Sequence, residues 1–237
     1  MPEMQHYDYK AERKTAGVVL IGNFNALLFH PLWFLKHGVF GQDEMDDVLR
    51  RKDEMICAPG LTSFHTSHIL VKVEDYRFEI SALKEPFGTV IDACKKVFEN
   101  LETIAITAMG INTTAHYKMP DLSTFHKLGD LLAPKERWSA FLGSDVSGDD
   151  RRGGLASLVM MRQKSDKKGS RSIKVERSRA FSLPAVGIFI NCNDHYAFES
   201  TGGVGIDASE VMEILADNFS KTIDDFASFQ NALFKDL

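Results

Sequence analysis

The chain has 237 residues, of which 44% are hydrophobic and 26% are charged, a composition typical of an ordinary globular protein. A chain of this length can bury a core without metal ions or disulfide bonds, in one large domain or two small ones. Its net charge of −5 argues against general nucleic-acid binding. The sequence has no apolar run long enough to span a bilayer, so we expect no membrane partner.

The N-terminus and the cysteines indicate the compartment. Residues 1–14 are polar and mixed in charge, and they lack the apolar stretch of a signal peptide. The three cysteines, Cys57, Cys94 and Cys192, are odd in number and widely spaced, which favours a reducing environment over a disulfide framework. We therefore expect a cytoplasmic protein.

The first elements in chain order are a strand, an apolar helix and an acidic segment. Residues 18–21 are apolar at consecutive positions, which predicts a central strand covered on both faces. Residues 27–40 predict a helix with a start at His30-Pro31; because it is apolar nearly all round, it is either buried or covered by a partner. Residues 43–54 are acidic with one narrow apolar stripe, which indicates a surface segment.

Residues 68–101 predict the unit around which the fold is organised: strand, tight turn, strand and amphipathic helix. Apolar residues alternate on both sides of Glu74-Asp75 and change parity there, which requires a turn or a bulge. After Pro86 the apolar residues recur in steps of three and four, so they share one stripe of a helix.

A long strand and two short helices complete the first half. Residues 103–117 alternate in hydrophobicity and switch parity at Gly110, which predicts a glycine bulge. Residues 122–132 and 134–142 predict the helices. The Gly-, Ser- and Asp-rich residues 143–154 predict a boundary inside one compact unit. The two halves are residues 1–142 and residues 143–237.

The second half begins with a predicted hairpin and repeats the organising unit. Residues 155–161 and 173–178 predict the two strands of the hairpin, with a charged tip between them. Residues 186–198 then predict a buried strand, a turn at Asn193-Asp194 and a short strand.

A long amphipathic helix completes this second unit. Its apolar stripe continues through residues 208–233, and Asp207 with Glu210 predicts a capping box at its start. The predicted fold class is α+β, a mainly antiparallel sheet with packed helices, built from two related strand-strand-helix halves. Such units also recur by chance in α+β domains.

No motif assigns a catalytic or metal-binding role. His65 and His68 lie three residues apart on a predicted strand, so their side chains point to opposite faces and cannot converge on one metal ion. Cys94 and Cys192 occupy apolar positions typical of core residues, and Cys57 has no recognisable base.

Two loops could bind ligands, but both have simpler interpretations. Asp145, Asp149 and Asp150 could supply oxygen ligands, yet their spacing departs from the helix-loop-helix calcium pattern, which favours a solvated loop. Gly202 and Gly203 precede a helix, where backbone N–H groups can hold phosphate, but neither the dinucleotide nor the P-loop pattern is present. We predict no metal and no cofactor.

Charge is distributed unevenly along the chain. Residues 151–179 contain ten basic and two acidic residues, a charge of +8, so the remainder carries −13. Lys and Arg that guard an exposed strand edge against aggregation explain part of this excess. We also predict that the hairpin binds an anionic partner, either an acidic protein surface, such as residues 43–54 of another copy, or a nucleic-acid backbone. The lack of aromatic residues there ranks protein above nucleic acid. The candidate binding residues are Arg162, Lys164, Lys167, Lys168, Arg171, Lys174, Arg177 and Arg179.

Four apolar segments are distributed along most of the length of the chain. They are residues 18–24, the run His30-Pro31-Leu32-Trp33-Phe34, the strand that ends in Gly110-Ile111-Asn112, and the long C-terminal helix. Together they resemble an uncharacterised group of bacterial proteins of about this size. The resemblance implies a bacterial cytoplasmic protein that works in a multi-protein system, and it carries over no catalytic residues.

Three functions are therefore expected, in this order. The first is a non-catalytic interaction protein that works as a homo-oligomer or with a protein partner. The second is a nucleic-acid-associated protein that uses residues 151–179. The third is an enzyme with a site near His65, His68 and His116 or in residues 145–150. Catalytic residues stay unassigned.

Overall fold

The computed structural model describes residues 9–101, 103–143, 153–166, 168–182, 184–198, 205–235 and 237. Several expectations fall on residues outside these ranges. They concern Lys167, the aspartates Asp145, Asp149 and Asp150, and the glycines Gly202 and Gly203.

Ten strands form one antiparallel sheet in the described part of the chain. The strands are β1 (Ala11–Gly22), β2 (Ile56–Ala58), β3 (Leu61–His65), β4 (Ile69–Glu74), β5 (Arg77–Ala82), β6 (Ala105–Lys118), β7 (Ser157–Gln163), β8 (Gly169–Arg177), β9 (Gly187–Ala197) and β10 (Ile206–Asp207). Their order is β2-β3-β4-β5-β1-β6-β9-β8-β7, and β10 pairs with β6. Because β6 pairs with both β1 and β9, strands from both halves share the sheet.

Six α-helices accompany the sheet in the same residues. They are α1 (Pro31–Lys36), α2 (Gln42–Arg50), α3 (Thr89–Glu99), α4 (Leu122–Leu132), α5 (Ser139–Leu142) and α6 (Ala208–Phe234). Short 3₁₀ turns occur at Ala26–Phe29, Lys52–Glu54 and Lys135–Trp138. The predicted α+β class with a mainly antiparallel sheet is confirmed. No helix in the described ranges is long and apolar enough to cross a membrane.

Helices cover one face of the sheet. On β1 the side chains of Val18 and Leu20 are fully buried, whereas Val19 and Ile21 are only half-buried. The prediction that residues 18–21 are covered on both faces is therefore wrong, and β1 follows the one-sided pattern of antiparallel sheets. Burial of each such aliphatic side chain contributes about 1.5–3 kcal/mol.

Two helices supply most of the covering layer. α3 packs on β1 and β5, and α6 crosses β6 and packs against α3. The predicted strands and helix of residues 68–101 are present as β4, β5 and α3, and the turn falls at Asp75-Tyr76, one residue later than expected. The spacing of apolar residues predicted these elements correctly because each apolar set occupies one face of its strand or helix.

The predicted apolar helix over residues 27–40 is wrong in extent. Pro31 does begin α1, and the His30 ring accepts a hydrogen bond from the Leu32 N–H at 3.3 Å. The helix ends at Lys36 because Gly38 adopts a left-handed conformation with φ of 65°. Acidic residues 43–54 form α2 and a 3₁₀ turn.

The parity switch in β6 does not lie at Gly110. Gly110 pairs regularly with Val19, and the irregularity lies between the pairs Ile21 with Ala108 and Gly22 with Ile106. A Cβ at position 110 would lie 3.1 Å from the Asn193 Oδ1 atom of β9, so a larger residue there would require the Asn193 side chain to shift.

The prediction that the second half repeats the strand-turn-strand-helix pattern of residues 68–101 is also wrong in detail. β9 continues from Gly187 to Ala197 without a turn at Asn193-Asp194, because the Asp194 side chain is buried and paired inside the fold. The second strand before α6 is instead the two-residue β10. The expected capping box at Asp207 is absent, since its side chain makes no capping hydrogen bond.

Candidate functional site

The sheet ends in two edge strands of different length. β2 comprises three residues, whereas β7 comprises seven. Among the described strands β7 pairs only with β8, from Ser157 opposite Glu176 to Gln163 opposite Ser170. β7 therefore presents a row of backbone hydrogen-bonding groups that no described strand satisfies.

The hydrogen bond that closes the β7–β8 hairpin identifies these free groups. The Lys164 N–H donates to the Gly169 carbonyl at 3.0 Å. Because residues in an antiparallel ladder alternate between facing the partner strand and facing away, Leu158, Met160 and Arg162 also face β8. The residues whose N–H and C=O groups face the free edge are Ser157, Val159, Met161 and Gln163.

The side chains of β7 are apolar and exposed on both faces of the sheet. Val159 and Met161, on the uncovered face, are 56% and 64% exposed, and Met160, on the helix side, is 66% exposed. Natural edge strands usually carry Lys, Pro or a bulge that blocks further pairing. Residues 157–161 carry no charge, and the β7–β8 register is regular. Such an edge marks either a binding site or an aggregation hazard.

An apolar groove of about 320 Å³ lies beside β7. Leu132 of α4 and Phe229 of α6 contribute helix side chains to it, so the groove runs between the sheet edge and these helices. The strand residues that line it are Leu158, Met160, Met161 and Arg162 of β7 with Arg171, Ile173 and Val175 of β8.

Four exposed cations surround this edge without an ion-pair partner among the described residues: Arg162, Lys168, Arg177 and Arg179. Arg162 lies at the C-terminal end of β7. Arg177 and Arg179 line a small pocket together with Ala156, near the N-terminal end of β7. Of the other predicted binding residues, Lys174 pairs with Glu176 at 2.8 Å.

The other two predicted cations among the described residues, Lys164 and Arg171, are held by a buried carboxylate. Asp194 of β9 is fully buried, its Oδ1 lies 2.8 Å from Lys164 Nζ, and its Oδ2 accepts from Arg171 Nη2 at 2.8 Å. The hydroxyls of Tyr196 and Thr222 donate to the same Oδ2 at 3.1 Å and 2.9 Å. We refer to these five residues as the Asp194 cluster.

The Asp194 cluster fixes the hairpin to the rest of the fold. Lys164 and Arg171 flank the hairpin tip, whereas Asp194 lies on β9 and Thr222 on α6. Arg171 also pairs with Asp225 of α6. Lys164 Nζ lies 2.8 Å from the centroid of the Tyr196 ring.

The contacts in the Asp194 cluster set its charges. Burial would raise the pKa of Asp194, but the hydrogen bonds from Arg171 and Lys164 outweigh it and hold that pKa below its ordinary value. Burial lowers the pKa of Lys164, and Asp194 opposes this shift only in part. Burial raises the pKa of Tyr196, and the charge of Asp194 adds to it. Asp194 is therefore ionised at neutral pH.

A cleft of about 880 Å³ opens beside the Asp194 cluster. Its volume would suit a small molecule. However, the most buried polar groups in its described lining, Lys164, Arg171 and Asp194, bond to one another. The cleft thus contains a structural ion network, to which the Tyr196 hydroxyl also belongs through its hydrogen bond to Asp194.

The histidines proposed for an enzyme each have a separate partner. His65 Nε2 lies 2.7 Å from Glu54 Oε2, His68 Nδ1 lies 2.9 Å from Ser67 Oγ, and His116 Nδ1 lies 2.8 Å from Ser178 Oγ. No group of three or more His, Cys, Asp or Glu among the described residues could hold a metal ion.

The three cysteines are free thiols. Cys94 and Cys192 are buried, and burial raises the pKa of Cys192 to about 11. Burial also raises the pKa of Cys57, which is half-buried. Protonated thiols are poor nucleophiles, so none of the three is activated for catalysis.

Comparisons of this chain with models of known protein families and with functionally characterised proteins find no match. The resemblance to a bacterial group stays a prediction.

Sequence reasoning identified the basic hairpin but missed the site beside it. It did not indicate that Leu132 and Phe229 would form a groove with β7, nor that Asp194 would neutralise two of the predicted cations. One feature of the sequence could have revealed the edge. Residues 158–161 are apolar at both parities, although their predicted hairpin is otherwise highly charged.

Proposed function

We propose that this protein is a non-catalytic interaction protein that binds an extended segment of another protein chain along β7. The observation that carries the proposal is that one strand combines a free backbone edge with the exposed side chains of Val159, Met160 and Met161. Backbone hydrogen bonds to such an edge supply affinity, and adjacent pockets select the side chains of the bound segment.

Strand addition accounts for the exposed residues better than contact with a flat surface. Val159 and Met161 lie on one face of the sheet, and Leu158 and Met160 lie on the other. A flat partner would cover only one of these two sets. An added strand continues both faces, because its own side chains alternate in the same way.

The rigid support of β7 favours binding. The Asp194 cluster joins both ends of the hairpin tip to β9 and α6, and β8 pairs with β9 over Gly169–Arg177. An edge that is already ordered loses little conformational freedom when a partner strand adds to it.

The geometry gives less support to a nucleic-acid function. Lys164, Arg171 and Lys174 have carboxylate partners inside the protein. The four described cations without a carboxylate partner surround an apolar strand rather than a continuous basic groove, and residues 151–179 contain no aromatic side chain on which a base could stack.

Selection from a display library of random peptides tests the proposal. Peptides enriched on the immobilised protein would be measured in solution against the wild type and the Met161→Pro variant. Proline at this position removes the Met161 side chain and an N–H that faces the free edge, and it leaves the hydrogen bonds to β8 in place. We expect the variant to bind at least about tenfold more weakly, the effect of roughly 1.4 kcal/mol. Failure to enrich any peptide, or equal binding by the variant, would contradict strand addition at β7.

A further inference from the structure

On its groove side the hairpin carries a regular row of side chains. A partner strand added to β7 would lie beside this row. Along β7 this row contains Leu158, Met160 and Arg162, at every second residue. On β8 the corresponding residues are Val175 opposite Leu158 and Ile173 opposite Met160. The middle of the row is therefore apolar, and one end is cationic.

The other end of the row is cationic as well. Arg177 of β8 lies opposite Ile188 of β9, which is buried on the helix side, so Arg177 lies on that same side. Ala156, the residue that precedes β7, lines the same small pocket as Arg177. Because alanine is short, the Arg177 side chain can reach over it toward the free edge. Arg177 and Arg162 are both exposed.

From this row we infer the chemistry of the partner segment. It is an extended stretch with two apolar residues at alternate positions. An acidic residue lies two positions before the first apolar residue, and another lies two positions after the second. The inference rests on the proposed function. The apolar pair would enter the groove beside Leu158 and Met160, and the acidic residues would meet Arg162 and Arg177. The row from position 156 to position 162 spans about 20 Å of strand, so the two acidic residues of the segment lie six positions apart.

Charge complementarity selects this partner over a second copy of the chain. Pairing two β7 strands about a twofold axis would bring two basic hairpins together, and Lys168, Arg177 and Arg179 would then face like charges. The acidic residues 43–54 of another copy do not fit either. They form α2 and a 3₁₀ turn, so they cannot add to a sheet as a strand.

The acidic ends would act through specific contacts as well as general attraction. An arginine binds a carboxylate through two parallel hydrogen bonds, which fixes the position of the segment along the strand. The pattern of the row is the same in both directions, so it accepts a parallel or an antiparallel segment. Register is then set by the spacing of the two carboxylates.

A set of labelled peptides tests the inference. The probe is acetyl-Ser-Glu-Thr-Val-Thr-Val-Thr-Glu-Ser-amide, and the comparison peptides have Gln or Lys in place of both Glu residues. Binding would be measured by fluorescence anisotropy at low and high salt. We expect the Glu peptide to bind about tenfold tighter than the Gln peptide or better, the Lys peptide to bind weakest, and the differences to shrink at high salt.

Charge reversal in the protein supplies the matched experiment. The double variant Arg162→Glu with Arg177→Glu should prefer the Lys peptide over the Glu peptide. Lys95→Glu, an exposed change on α3 far from β7 in the sheet order, should leave the original preference intact. Both positions on the hairpin are exposed, so the preference can be read from a folded protein.

The outcomes separate this inference from the proposed function. Equal binding of the Glu, Gln and Lys peptides, with loss of all three in Met161→Pro, would overturn the acidic pattern and leave strand addition intact. No binding of the Glu peptide would overturn the inference, and the library selection would then decide the proposed function by itself. Binding that Met161→Pro leaves unchanged would contradict both.

Discussion

Arg171 on β8 lies directly opposite Asp194 on β9, and its Nη2 atom donates to Asp194 Oδ2 at 2.8 Å. On its other side Arg171 lies opposite Arg162 of β7. Two like charges directly opposite each other on a sheet are destabilising. Because Asp194 neutralises Arg171, the next strand can carry an unpaired arginine on its groove face. The buried carboxylate therefore makes the charge of the binding edge compatible with the fold.

Replacement of Asp194 by asparagine should destabilise the protein strongly. The Asp194→Asn change would keep the shape of the side chain but leave Lys164 and Arg171 without their shared counter-charge. Removal of one partner from a buried ion pair costs about 3–5 kcal/mol. Urea unfolding followed by circular dichroism would measure this loss.

An exposed aspartate on α6 provides the control for this change. Asp224→Asn alters a side chain in solvent and should change the free energy of unfolding by less than about 0.5 kcal/mol. If Asp194→Asn costs no more than the control, the Asp194 cluster does not hold the hairpin.

The Asp194 cluster should also make stability depend on acid pH. The folded-state pKa of Asp194 lies below its ordinary value of 3.8, so folding favours the ionised carboxylate. This stabilisation is complete above about pH 5 and is lost as the pH falls through 3.8 toward the lower folded-state pKa. The stability difference between wild type and Asp194→Asn should therefore shrink between neutral pH and about pH 3.

A second carboxyl group with a lowered pKa is unchanged in the Asp194→Asn variant, so part of the sensitivity to acid should remain. The hydrogen bond from the Ser67 N–H, opposed by burial and aided by Arg51, lowers the pKa of Asp47 to about 2. This group is unaffected by the substitution. The variant should still lose stability in acid, but with a shallower slope. An identical slope in both proteins would contradict the assignment to Asp194.

The sequence allowed the organising unit to be predicted because its patterns are local. β4, β5 and α3 each place their apolar residues with the period of one strand or one helix, and no long-range contact is needed to recognise them. β9 was divided incorrectly because Asn and Asp are common turn residues. The carboxylate of Asp194 is paired with Arg171, which lies 23 residues away in the chain, and that partnership is not visible in a local pattern.

The candidate site was predictable in charge but not in geometry. The excess of Lys and Arg in residues 151–179 follows from the sequence alone, whereas the internal neutralisation of Lys164 and Arg171 depends on strand register. Whether a strand lies at the edge of a sheet depends on the order of all the strands. That order places β7 last, and it cannot be read from the composition of β7 itself.

A pair of proline variants should show which backbone groups of β7 are free. The Met161 N–H faces the edge, so Met161→Pro should change the free energy of unfolding by less than about 1 kcal/mol. The Met160 N–H faces β8, so Met160→Pro should cost at least about 1–2 kcal/mol more, because it removes a ladder hydrogen bond and leaves a carbonyl unpaired. Thermal and urea unfolding would compare the two. The opposite order of stabilities would place the free groups at the even-numbered residues.

A lysine on the free edge should improve solubility without loss of stability. Val159 is 56% exposed on the uncovered face of the sheet, so Val159→Lys removes little buried apolar surface. Lysine on an edge strand opposes pairing with other chains, because a neighbouring strand would have to bury or displace its charge. We expect less light scattering in concentrated solutions of the variant, an unchanged midpoint of thermal unfolding, and weaker binding of library peptides. Leu122→Lys on α4, which alters an apolar side chain that is 43% exposed, tests whether any added charge has the same effect. If both variants improve solubility equally, the edge of β7 is not the surface through which the chains associate.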